Sequence, residues 1–127
     1  MRYLILLAII LLSVSTCLAQ VQVNEETEFA FAKKAFSDGF YSLAQENLED
    51  FLNKYPGTNH IYEAHLLLGR CFYYQNNLKQ SSYEFDMVLN SPATLNLQDG
   101  ALYWVGDIYY RSGDFKKALE SYQKVIE

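Results

Sequence analysis

The chain has 127 residues, half of them apolar, and its 15 acidic side chains outnumber 10 basic ones for a formal charge of −5. That balance disfavours a nucleic-acid binder or a peripheral protein of anionic membranes. The lysines come singly or in pairs, at Lys33-Lys34 and Lys116-Lys117, interleaved with acids, so no basic stripe exists to neutralise phosphates.

The first segment is a targeting signal in its pattern. Arg2 is followed by an apolar run from Tyr3 to Leu12, too short to span a bilayer, then by a Ser/Thr-rich stretch and Cys17-Leu18-Ala19. Small residues at the positions a signal peptidase reads make residues 1–19 a signal peptide cleaved after Ala19. The alternative is lipidation of Cys17, because Val14-Ser15-Thr16-Cys17 resembles a bacterial lipoprotein box, with Thr16 departing from the usual small residue. An uncleaved anchor is a third reading. Cleavage or lipidation exports the protein, and membrane attachment is expected only if Cys17 is lipidated. Cleavage removes Arg2 alone among charged residues, moving the formal charge to −6, and leaves Cys71 as the sole cysteine, so no internal disulfide is expected.

Residues 20–127 form one domain built on a 37-residue repeat. Gly69 recurs as Gly106, Phe72 as Tyr109, Phe85 as Tyr122 and Val88 as Val125. A fainter first copy is in phase, since Ala32, Gly39 and Ala44 stand 37 before Gly69, Asn76 and Ser81. The units run over about 25–57, 58–94 and 95–127, the last incomplete. Apolar spacing inside each copy is helical and is broken at Asp38-Gly39, Gln75-Asn76-Asn77 and Ser112-Gly113-Asp114. Pro56-Gly57 and Ser91-Pro92 close the first two units, because proline lacks a helix donor and restricts its predecessor. The pattern predicts helices near 25–37, 41–54, 59–75, 78–90, 97–112 and 115–127. Gly69 and Gly106 are placed where the paired helices approach most closely, letting the backbones meet, with Ala44, Ser81 and Ala118 on the opposing helix. A unit of this size cannot bury its own apolar face and must stack on neighbours.

The chain resembles the tetratricopeptide repeats. The third copy carries Leu102, Val105-Gly106, Tyr109, Gly113-Asp114-Phe115, Ala118, Tyr122 and Val125 at the family spacing, and the second carries His65, Leu68-Gly69, Phe72, Leu78, Ser81, Phe85, Val88 and Pro92. The first departs at Glu28 and Ala35, while Gly39-Phe40-Tyr41, Ala44, Leu48, Phe51 and Pro56 fit. The resemblance implies an all-α, right-handed α-solenoid of three helix-turn-helix repeats behind the signal peptide. The longer unit and the run Ala101-Leu102-Tyr103-Trp104-Val105-Gly106-Asp107-Ile108-Tyr109-Tyr110 are similar to exported bacterial members, the Tol-Pal-associated cell-division coordinator and the outer-membrane β-barrel assembly lipoprotein. That likeness implies a non-enzymatic protein–protein scaffold of the periplasm or the periplasmic face of the outer membrane.

In the resembled family the leading helix of each unit lines a concave groove, and the 37-residue offset nominates the residues there. Phe29, Leu66 and Tyr103 make one ladder, Lys33, Arg70 and Asp107 a second, and Phe36, Tyr73 and Tyr110 a third, extended by Tyr74 and Arg111. All of these except Phe29 are candidate partner contacts, because aromatic and arginine side chains anchor interfaces. An envelope protein or peptide segment is the expected partner. Glycan or peptidoglycan binding is the alternative, since exposed aromatics stack on sugar rings.

No catalytic chemistry is expected. The sequence holds no phosphate loop after a strand, no Gly-x-Ser-x-Gly elbow and no metal-ligand cluster, and it calls for no cofactor. His60 and His65 stand five apart, on different sides of a helix, and are read as structural. Cys71, between Gly69 and Phe72, is read as a small buried hydrophobe. Trp104 can either seal the seam between units or stand half exposed beside Tyr103. Glu25-Glu26-Thr27-Glu28 reads as a helix start, and Glu49-Asp50 as a solvated face. Phe115, Leu119, Tyr122 and Ile126 form an open seam on the last helix, expected to be covered by further repeats of a longer parent chain, a partner or a second copy.

Overall fold

The computed structural model of the chain describes residues 24–126; the expected signal peptide and Cys17 lie outside them. Among the described residues all regular structure is α-helical. Helix α1 covers 24–37, α2 Tyr41–Lys54, α3 Ile61–Tyr74, α4 Leu78–Leu89, α5 Leu95–Ser112 and α6 Phe115–Ile126. The six fall at the places the repeat predicts. Two boundaries shift by more than one residue: α3 starts two residues late, where the Thr58 hydroxyl accepts the His60 N–H at 3.0 Å, and α5 starts two early, behind an extended Thr94.

The turn inside each unit uses one backbone device. Gly39, Asn76 and Gly113, spaced 37 apart, have φ of +82°, +61° and +83°, the left-handed conformation that ends a helix. Asparagine tolerates that conformation better than other residues with a Cβ, which accounts for its use in the second unit. One residue later, Asn77 and Asp114 accept backbone N–H groups of Gln80 and Lys117, capping α4 and α6. In the first unit Phe40 holds this place and supplies no side-chain cap.

The two helices of a unit pack against each other, and each second helix also packs on the first helix of the next unit: α2 on α3 and α4 on α5. Neighbouring first helices meet as well, α3 with α5 directly and α1 with α3 through a shared core. That core contains Phe29, Ala32, Leu48, Phe51, Ala64, Leu68, Cys71 and Phe72, all buried. A second cluster of Phe85, Val88 and Ala101, with Leu97, Trp104, Val105 and Ile108 against it, joins α4 to α5. The acids Glu25, Glu26 and Glu28 do more than open a helix. They tie α1 to the end of α2 and the start of α3, through Lys54, Thr58 and His60.

The glycines of the repeat act differently from the backbone-to-backbone contact expected of them. A Cβ built on Gly69 would lie 2.5 Å from the ring of Phe85, and one on Gly106 would lie 2.6 Å from the ring of Tyr122. Each glycine is the seat of an aromatic ring from the paired helix. The buried Ser81 hydroxyl donates to the Gly69 carbonyl at 2.8 Å and fixes the same crossing. In the first unit the equivalent residues are Ala32 and Leu48, both fully buried: the seat gains a methyl where the residue above it loses its ring.

Ring and seat should be coupled in stability. Gly69→Ala should cost about 1–3 kcal/mol in denaturant unfolding, while Gly57→Ala, with open space around it, should cost far less. Adding Phe85→Leu, which reproduces the first unit's pair, should leave the double variant more stable than the two single losses sum to, with a coupling of roughly 0.5–3 kcal/mol. Additive losses would show that ring and seat are independent. At the turn, Asn76→Ala should lower stability by about 1 kcal/mol and Asn76→Gly should not, as read from thermal melts.

Candidate functional site

Helices α1, α3 and α5 lie side by side, and their shared face gathers the ladder residues with a seam of aromatic rings. Tyr41 stacks on Tyr74 at 4.5 Å between centroids, and Phe36 meets both. Tyr73 and Tyr74 each meet Trp104 edge-on, at 4.9 and 5.8 Å, and Tyr103 does so at 5.4 Å. Tyr110 continues the line to Phe115 on α6. Offset and edge-to-face pairs of this kind are the favoured ring geometries and hold the surface in a fixed shape.

Not every rung of the ladders is available to a partner. Tyr74, Tyr103 and Tyr110 are exposed by 45%, 50% and 59%, whereas Tyr73 is exposed by only 4%. Tyr73 therefore departs from the expected exposed rung: it lies beneath Arg111, whose guanidinium sits 4.2 Å from its ring centroid. Phe29 is buried between Phe51 and His60 and belongs to the core. Leu66 is half-buried against the α4–α5 cluster and lies under Gly100, and Phe36 packs on the first core while still facing Arg70. Burial of these side chains follows from the close approach of neighbouring first helices, which a single helix pattern does not reveal.

The charged rungs are also sorted by the packing. Lys33 is exposed and pairs with Glu63 at 2.6 Å, and Asp107 lies 3.7 Å from the Arg111 guanidinium. Arg70 is different. Its guanidinium carbon lies 4.4 Å from the Phe36 ring centroid and 5.3 Å from that of Trp104, so rings from α1 and α5 flank a cation on α3. Such contacts contribute about 0.5–2 kcal/mol each, more when desolvated. Trp104 thus both seals the seam between units and borders the face. Nothing in the sequence pattern joins it to Arg70, because the two are 34 residues apart and only the stacking of α5 on α3 unites them.

The remaining chemical groups have structural surroundings. His60 lies on the Phe29 ring and bridges Glu26 and Glu63, and His65 Nδ1 stands 2.7 Å from Glu84. Cys71 is buried, and burial pushes its thiol up to about 12, so the nucleophilic thiolate is absent at neutral pH. The expected solvated pair Glu49-Asp50 is exposed. On the last helix Phe115 and Leu119 are exposed and Tyr122 is half-buried, while the Ile126 side chain lies outside the described residues.

Another concavity lies elsewhere, an open depression of about 580 Å³ between α3 and α4 lined by Ile61, Tyr62, His65, Tyr83, Met87 and Pro92. It takes residues from only one unit, whereas the aromatic face draws on all three. A surface spanning the units suits an extended partner better than an isolated hollow does.

Among the curated proteins none matches the chain significantly. Residues 100–127, which hold most of α5 and all of α6, match the family model described as tetratricopeptide repeat. The third unit therefore carries a tetratricopeptide repeat, and among the described residues, whose regular structure is all helical, the earlier units repeat its turn and its helix pairing.

Proposed function

We propose that this protein is an exported, non-enzymatic scaffold of the bacterial cell envelope that holds a segment of another protein along the face of α1, α3 and α5. The observation that carries this reading is the aromatic seam across all three units, with Tyr74, Tyr103 and Tyr110 exposed on it, Arg70 by the rings of Phe36 and Trp104, and Arg111 over that of Tyr73. Large rigid side chains with polar ends supply contact area at small entropic cost, as partner-binding surfaces require. Tetratricopeptide repeats in general mediate protein–protein interaction, in agreement with the match at residues 100–127. Export rests on the charge, apolar run and small residues of 1–19, and the periplasmic placement on the likeness of the third unit to envelope members. Cys17 is the lipid-bearing residue if the chain is anchored.

The test is site-specific photocrosslinking in cells with a benzophenone side chain in place of Tyr110. The expected result is a crosslink to one envelope protein, weakened about tenfold or more by Tyr103→Ala with Tyr74→Ala in a variant that circular dichroism shows to be folded at the temperature of the experiment. Crosslinking to no protein, together with retention of the purified protein on isolated peptidoglycan, would transfer the aromatic face to glycan recognition and overturn the scaffold reading.

A further inference from the structure

The Arg70 side chain points to the chemistry of the partner. Among the described residues it forms no ion pair and no hydrogen bond, although the chain has a surplus of acids. The other cations without a carboxylate partner among these residues, Lys79, Lys116 and Lys124, are exposed lysines that water satisfies. Arg70 is half-buried, and its Nε is the one side-chain nitrogen or oxygen among the described residues that is both buried and unpartnered. The two terminal nitrogens of the same guanidinium are not among such buried atoms, and no acceptor pairs with them among the described residues.

Phe36 and Trp104 flank the cation, and a planar guanidinium held by rings keeps its in-plane N–H donors for a ligand. A carboxylate is the group whose two oxygens match a pair of such donors. The acid nearest in the ladder, Asp107, is already engaged with Arg111. Arg70 also sits on the middle helix, with exposed Tyr74 beside it and Tyr103 and Tyr110 on α5, so a bound chain passes over it.

Resting on the scaffold reading above, we propose that Arg70 is a carboxylate-recognition point, and that the segment bound on this face carries an aspartate or glutamate side chain which docks on its terminal nitrogens between Phe36 and Trp104. The neighbouring tyrosines then receive apolar or aromatic residues of the same segment. The partner sequence is thus an acidic residue flanked by apolar ones.

A randomised pool of C-terminally amidated dodecapeptides, passed over immobilised wild-type protein and the Arg70→Gln variant, tests this. Wild type should enrich peptides with Asp or Glu beside apolar residues, and Arg70→Gln should lose the acidic preference while keeping the apolar one. With a synthetic peptide from the enriched set, exchanging its acid for the amide should weaken binding by about tenfold or more, followed through the fluorescence of Trp104, the single tryptophan of the chain. Circular dichroism melts establish that Arg70→Gln is folded; if it is not, Arg70→Lys keeps the charge without the planar fork and should weaken the acidic peptide about tenfold. Enrichment of neutral peptides by wild type, or an acidic preference that survives in both Arg70 variants, would refute the role of Arg70 and leave the scaffold reading intact. Enrichment only from a pool with free carboxyl termini would replace the side chain by a chain end and overturn the proposal as stated. No peptide enrichment by the wild type would remove both readings together.

Discussion

The helix crossings of the second and third units depend on an aromatic ring lying where a side chain would otherwise be. Phe85 on Gly69 and Tyr122 on Gly106 bring the two helices of a unit close enough for the buried Ser81 and Ala118 to sit at the interface. Interiors are packed to crystal-like density, so the ring and the missing Cβ are a matched pair. The first unit solves the same problem with Ala32 and Leu48, moving about a methyl's volume from one helix to the other. The unit is therefore defined by the combined volume at the crossing, which leaves the identity of either residue free to change. This also explains why the first copy is fainter in sequence while its helices occupy the same places.

Close crossings within units set how the first helices meet, and that meeting creates the candidate site. The Phe36, Arg70 and Trp104 side chains come from α1, α3 and α5 in turn. None of the three units contains this cluster alone. A solenoid makes its binding surface in the same step by which it becomes stable, since both need neighbours in register. Loosening one crossing would thus move the aromatic seam as well as expose core.

Burial also separates residues that the ladders treat as equivalent. Tyr73 and Tyr110 share a repeat position, yet Tyr73 is enclosed and Tyr110 is open, because Tyr73 has both Arg111 and Trp104 of the adjoining unit against it. Lys33, Arg70 and Asp107 likewise share a position and have three different fates: a cross-helix ion pair, an aromatic slot, and an ion pair with the next turn of its own helix. Equivalence in the repeat is equivalence of direction from the helix axis. What a side chain meets in that direction depends on the adjacent unit.

Local chemistry carried the fold. The 37-residue offset, the apolar spacing and the turn residues Gly39, Asn76 and Gly113 are readable from the chain, because helix ends need left-handed residues and caps within a few positions of one another. The helix pairing was legible for the same reason, although the purpose of Gly69 and Gly106 was not: a ring arriving from 16 residues away leaves no mark at the glycine itself. Of the candidate site, the sequence by itself determined which residues lie on the leading helices. Only the tertiary structure decided that Tyr73, Leu66 and Phe36 are taken up by packing, that Tyr74, Tyr103 and Tyr110 stay open, and that Arg70 faces Phe36 and Trp104 without an acid. Burial and charge pairing depend on contacts between neighbouring units, and a periodic pattern records the direction of a side chain without its surroundings.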